Sequence, residues 1–182
     1  DELRELKRKV DEHTRELERI LKEIEDRVRR HKEKLDETVK RDKDRVDEWL
    51  RRAEELVRRG VSEEVVKRLA EELEKHKRTS EELNRKLNEH SKKLEDDIKT
   101  KLDELNKHSK ELTEEMRRRG GELREEVEKI ERRLREANKR AADALKKVID
   151  ELRRANEEVN RKSEETLKTL DKILEDVERK TR

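Results

Sequence analysis

Apolar residues in this chain recur at alternating steps of three and four through three long stretches, the spacing that places one stripe along an α-helix. The first stripe runs Leu3, Leu6, Val10, His13, Leu17, Ile20, Ile24, Val28, His31, Leu35, Thr38, Asp42, Val46, Trp49, Ala53 and Leu56. The second runs Val66, Leu69, Leu73, His76, Ser80, Leu83, Leu87, His90, Leu94, Ile98, Leu102, Leu105, Ser109, Leu112 and Met116. The third runs from Leu123 and Val127 through Leu134, Leu145, Leu152, Val159, Ser163 and Leu170 to Val177. Such a stripe is the heptad seam of a left-handed supercoil. The three glycines, Gly60, Gly120 and Gly121, fall between the stripes, and no proline interrupts them. Because glycine commonly follows a helix end, the pattern predicts helices over about 2–59, 63–118 and 122–181. Short turns make neighbours antiparallel. The expected fold is therefore all-α: a long antiparallel three-helix bundle or coiled coil, up-down-up, forming a single domain over 1–182. At 1.5 Å per residue each helix would be about 85 to 90 Å long.

The turns differ in how firmly they are specified. Arg58 and Arg59 precede Gly60, and Arg117, Arg118 and Arg119 precede Gly120, which puts cations at carbonyl-rich C-termini. After Gly60, Ser62 is placed to cap the second helix, Glu63 and Glu64 stand in its first turn, and Val61 can staple onto Val66. Gly120-Gly121-Glu122 offers no side-chain cap. Gly120 and Gly121 are accordingly the candidate hinge.

Composition alone would point to disorder, since charged residues make up 58% and hydrophobic ones 27% of the chain. A coiled-coil seam needs only about two apolar positions in seven, however, and the periodic stripes meet that need. Net charge is +2, from 54 basic and 52 acidic residues, with the signs interspersed. There is no basic field or stack of aromatics for nucleic acid. No apolar run approaches the roughly 20 residues of a membrane span, and the narrow seams lack the broad apolar face of a membrane-surface helix. There are no cysteines for disulfides or thiolate metal sites. The N-terminus carries no recognisable targeting signal, so the chain is expected to be soluble, its location unknown.

Folding the stripes back at the two turns clusters their polar members into three layers. His13 falls beside His108 and Ser109, with Asn138 within a turn. His31 falls beside His90 and Ser91, with Asn156 close. Asp42 falls near His76, Thr79 and Ser80, opposite Ser163, with Thr38, Asn160 and Thr166 flanking. A buried polar layer satisfied in one alignment penalises helices that slip by a heptad. The bland alternative is that these side chains point into solvent from the edge of the seam.

Near-equal helices, the absence of Pro, Cys, Phe and Tyr, a Glu/Lys/Arg surface, minimal turns and His/Ser/Asn/Thr layers together resemble a de novo designed helical bundle of the parametric coiled-coil type with buried hydrogen-bond networks. The resemblance spans the whole chain and is one of style, with no motif behind it. It implies a structural protein without natural activity, and leaves open an oligomer or a switch that uses the His layers and the Gly120-Gly121 hinge. A spectrin-like repeat is the nearest natural pattern, but its core aromatics have no counterpart beyond Trp49.

No enzyme is expected. Ser80 and Asp42 lie near His76, yet a serine on an uninterrupted helix lacks oxyanion donors and a substrate pocket. His31, His90 and Asn156 could hold a divalent ion only weakly, and no helix carries the His-x-x-x-His or Glu-x-x-His pair that suits an inward-facing metal site. Cofactors and metals are thus expected to be none, and partners none beyond possible self-association. Leu21, Val39, Leu50, Val57, Ile149, Leu167 and Leu174 widen the seams; they would cover the flanks of a monomer's core or form a second interface in an oligomer.

Overall fold

The computed structural model describes residues 2–60, 62–119, 121 and 123–180. Three helices, α1 (Glu2–Arg59), α2 (Glu63–Arg119) and α3 (Arg124–Lys180), account for nearly all of them. Their heptad stripes explain why they form, and their ends show what stops them. Acidic residues occupy each first turn, Glu2 and Glu5 in α1, Glu63 and Glu64 in α2, Glu125 and Glu126 in α3, where they complement the helix dipole. Arg58 and Arg59 close α1, and Arg117 to Arg119 close α2.

Gly60 ends α1 with φ of 64° and donates its N–H to the Val57 carbonyl, a left-handed cap that other residues adopt only with strain. The Ser62 carbonyl then accepts from Val65 and Val66, which makes Ser62 the N-cap residue of α2. At α3 the corresponding carbonyl is that of Leu123, accepting from Val127 at 3.0 Å, so a residue without a capping oxygen begins that helix. Gly121 has φ of 42°. Val61, expected to staple onto Val66, and Gly120 and Glu122 of the expected hinge turn lie outside the described residues.

The chain divides into two compact units, each drawing on all three helices. The first comprises Asp1–Arg30 and Lys92–Leu152. In it the start of α1 (Leu6, Val10) packs with the end of α2 (Leu112, Met116) and the start of α3 (Val127, Ile130, Leu134), so successive helices are antiparallel. A second apolar cluster in this unit joins Leu17 to Val28 of α1, Leu94 to Leu105 of α2 and Ala137 to Leu152 of α3. Between the two clusters sit His13, Ser109 and Asn138.

The other unit comprises His31–Ser91 and Arg153–Arg182. Its core gathers Val46, Ala53, Leu69, Leu73, Leu170, Ile173, Leu174 and Val177, with Trp49, Leu50, Leu56, Val66, Ala70 and Leu167 packed on it. Arg52 lies over the Trp49 ring, 5.4 Å from its centroid. Each fully buried Leu or Ile contributes about 1.5 to 3 kcal/mol. Residues such as Leu73, Ile98, Leu134, Leu145 and Leu170 are essentially inaccessible, which is how so polar a chain assembles a core.

Five expectations are corrected. Leu123, expected in the third stripe, precedes α3 and is exposed, and Leu83, expected in the seam of α2, is 41% exposed, the neighbouring Asn84 turning inward instead. His90, His108 and Thr79 are also exposed, because Ser91, Ser109 and Ser80, each one position later, take the inward places.

Candidate functional site

The polar residues held between apolar clusters are the candidate site. In the first layer, α1 supplies His13, α3 supplies Asn138 and α2 supplies Ser109. His13 is 2% exposed, and its Nε2–H donates to Asn138 Oδ1 at 3.1 Å. Asn138 Nδ2 in turn donates to Ser109 Oγ. The layer is therefore one unbroken chain of donors and acceptors through three helices. His13 Nδ1 is buried without a partner. With Nε2 protonated, that atom is a bare acceptor, and placing a second proton there would leave a buried N–H with nothing to receive it. Burial lowers the His13 pKa and the charge of His108 lowers it further, against the opposing effects of the Asn138 hydrogen bond and of Glu16. His108 keeps contact from outside: its ring lies 4.9 Å from that of His13, and its Nδ1 is 4.0 Å from Glu111.

The second layer is smaller. His31 Nε2 and Ser91 Oγ share a hydrogen bond of 2.6 Å, both side chains being buried. The exposed His90 leans its ring over that of His31 at 5.1 Å. Burial lowers the His31 pKa, with smaller contributions in the same direction from the charges of His90 and Lys34. Asn156 is half-buried with its Oδ1 unpartnered.

In the third layer Ser80 Oγ donates to Asp42 Oδ1 at 2.7 Å, and His76 Nε2 lies 3.3 Å from the same oxygen. The imidazole is within ion-pair reach but misaligned for a hydrogen bond. Ser163 is buried beside them on α3, while Thr79 turns its hydroxyl back to the Lys75 carbonyl and takes no part.

Around the layers, charged pairs tie neighbouring helices: Lys9 to Glu115 at 2.7 Å and Arg27 to Asp97 at 3.2 Å join α1 to α2, and Lys77 to Asp171 at 2.7 Å joins α2 to α3. Each helix also bears a Glu-x-x-Arg-x-x-x-Glu triad on its own surface, at Arg19, Arg85 and Arg161. Among the described residues no group of three or more His, Cys, Asp or Glu side chains could hold a metal ion. Among them, too, no helix is long and apolar enough to cross a membrane.

This architecture is shared with a designed bundle. A solved structure described as a "Computationally designed three helix bundle" superposes with a TM-score of 0.56 at 21% sequence identity, covering 100% of this chain and 92% of the other. The likeness is one of fold. No protein-family model matches the sequence, and no curated protein matches it.

Several inward-facing groups escaped the sequence reading. Asn84 and Asn88 of α2 bury amide oxygens that have no partner, as does Asn160 of α3, which was expected to flank the third layer. Glu131 is buried with Arg135 at 3.4 Å and Arg117 at 3.9 Å. Its signal was available, since Glu131 sits four residues before Arg135, but an i,i+4 pair of this kind also decorates exposed faces throughout the chain.

Proposed function

We propose that this chain is a designed structural bundle without natural biochemical activity, its alignment specified by apolar heptads and by buried polar layers. The observation that carries this reading is the His13–Asn138–Ser109 chain, one residue from each helix, inserted between two apolar clusters. Apolar contacts are tolerant of a slip by a heptad; this relay is satisfied only when the three helices stand in one alignment. The shared fold with a computationally designed bundle supports the same origin. In this reading the chain acts as a monomer, and the flanking residues Leu21, Leu50, Ile149, Leu167 and Leu174 belong to its own packing.

The test is to replace the layers by apolar residues (His13→Leu, Ser109→Ala, Asn138→Leu, His31→Leu, Ser91→Ala) and to compare oligomeric state by light scattering on a sizing column. The parent should elute as one species near 22.2 kDa, and the apolar variant should spread over several. A variant as monodisperse as the parent sinks the alignment role; a parent of two or three times that mass sinks the monomer.

A second reading, a pH-responsive bundle, is favoured by one observation: burial lowers the pKa of both His13 and His31. Circular dichroism melts at pH 7 and pH 4.5 separate the two readings. Equal melting temperatures remove the switch.

A further inference from the structure

Beside the Asp42–Ser80 hydrogen bond the second unit has a small, half-open cavity of about 20 Å³. Its polar lining comes from all three helices: Thr38 and Asp42 of α1, Ser80 and Asn84 of α2, Ser163 and Thr166 of α3. Thr38 and Thr166 have committed their hydroxyl protons to the Lys34 and Lys162 carbonyls of their own helices. Ser80 has committed its proton to Asp42. Asn84 Oδ1, by contrast, is buried with no partner, and Ser163 is buried beside the same space. A cavity of about 10 to 15 Å³ suffices for one water, provided it meets two to four polar groups.

We propose that this cavity is a binding site for a single internal water molecule that completes the third polar layer. The water donates to Asn84 Oδ1 and to the Asp42 carboxylate and accepts from the Ser163 hydroxyl, so α3 joins the layer through it. A buried amide oxygen without a partner is costly to leave dry, and one water satisfies it while adding a donor to the part-buried Asp42 carboxylate. A lone carboxylate among neutral oxygens suits water better than a divalent ion, which takes six or more oxygen donors or keeps several waters of its own.

The experiment is water-to-amide nuclear Overhauser spectroscopy, with oxygen-17 relaxation dispersion, on the intact chain. One long-lived water is expected, with cross-peaks to protons around Ser80, Asn84 and Ser163, and Ser163→Val, which fills the space, should remove it. A folded parent with no long-lived water at this site overturns the proposal, and this requires no variant. So does a Ser163→Val protein that retains the signal. Melting curves in sodium, potassium and tetramethylammonium chloride at equal ionic strength cover the remaining occupant: superposable curves support water, and a sodium- or potassium-specific stabilisation lost in Ser163→Val would assign the cavity to a monovalent cation instead.

Discussion

Replacing Asn138 by leucine isolates what the first polar layer contributes. Asn138 is the middle member of the relay, so its loss strands the His13 N–H and the Ser109 hydroxyl together. His13 is almost wholly inaccessible, so bulk solvent does not reach the stranded N–H; a stranded buried group of this kind costs about 1 to 3 kcal/mol. Ser109 is only half-buried and recovers part of its loss from solvent. Leucine returns about 1 kcal/mol through added apolar contact with the two clusters. The net expectation for Asn138→Leu is a loss of about 1 to 2 kcal/mol. With a guanidinium m-value of about 4 kcal/mol/M, the unfolding midpoint falls by roughly 0.3 to 0.5 M. The triple variant His13→Leu, Ser109→Ala, Asn138→Leu strands nothing, and it should unfold at or above the parent midpoint. Both are measured by circular dichroism in guanidinium chloride at pH 7.5, where burial keeps His13 and His31 neutral. An Asn138→Leu midpoint equal to or above that of the parent would refute the relay as a satisfied network.

The remaining expectations concern pH, the second layer, a turn and the surface. The unfolded chain binds protons at His13 and His31 near the ordinary value of about 6.5 while the folded chain resists them. Stability is thus fully present above about 6.5 and declines as pH falls through the lowered folded values; urea titrations from pH 8 to 4.5 should show this, and His13→Leu with His31→Leu should flatten the profile. Ser91→Ala strands His31 and should cost about 1 to 2 kcal/mol by the same denaturation assay, with no change in oligomeric state. Gly60→Ala meets no atom within 4 Å, so its cost is that of the left-handed backbone alone, about 1 kcal/mol; a much larger loss would mean that the turn is packed. Arg19→Ala, Arg85→Ala and Arg161→Ala each remove an exposed triad and should leave the thermal midpoint within error, since exposed pairs contribute little.

The helices were legible because their signals reinforce one another: a stripe of Leu, Ile and Val, acids at one end, arginines at the other, glycine beyond. Register on α2 was harder to read. From Leu87 to Leu94 the chain can step inward at residue 90 or at residue 91, and both choices obey the alternation of three and four. Where one candidate is apolar the pattern decides, but His90 and Ser91 are both polar, so only packing selects Ser91. Between Ser80 and Leu87 the pattern misled. Leucine at 83 outbids asparagine at 84 on hydrophobicity, yet the helix turns Asn84 inward, next to the Asp42–Ser80 pair. Polarity reveals that a position is unusual without revealing which way it faces. The relay at His13 was easier, since three helices each offered a polar residue at the same level.

The glycine that closes α1 has a consequence for chirality. A φ of 64° is the mirror image of the ordinary helical value, and the space around that α-carbon is open. An L-residue there strains against its own carbonyl, whereas its enantiomer would rest in its natural basin. In a protein whose helices depend on the handedness of L-amino acids, the first turn is therefore a place where D-alanine is the better building block, restricting the unfolded chain without disturbing the folded one.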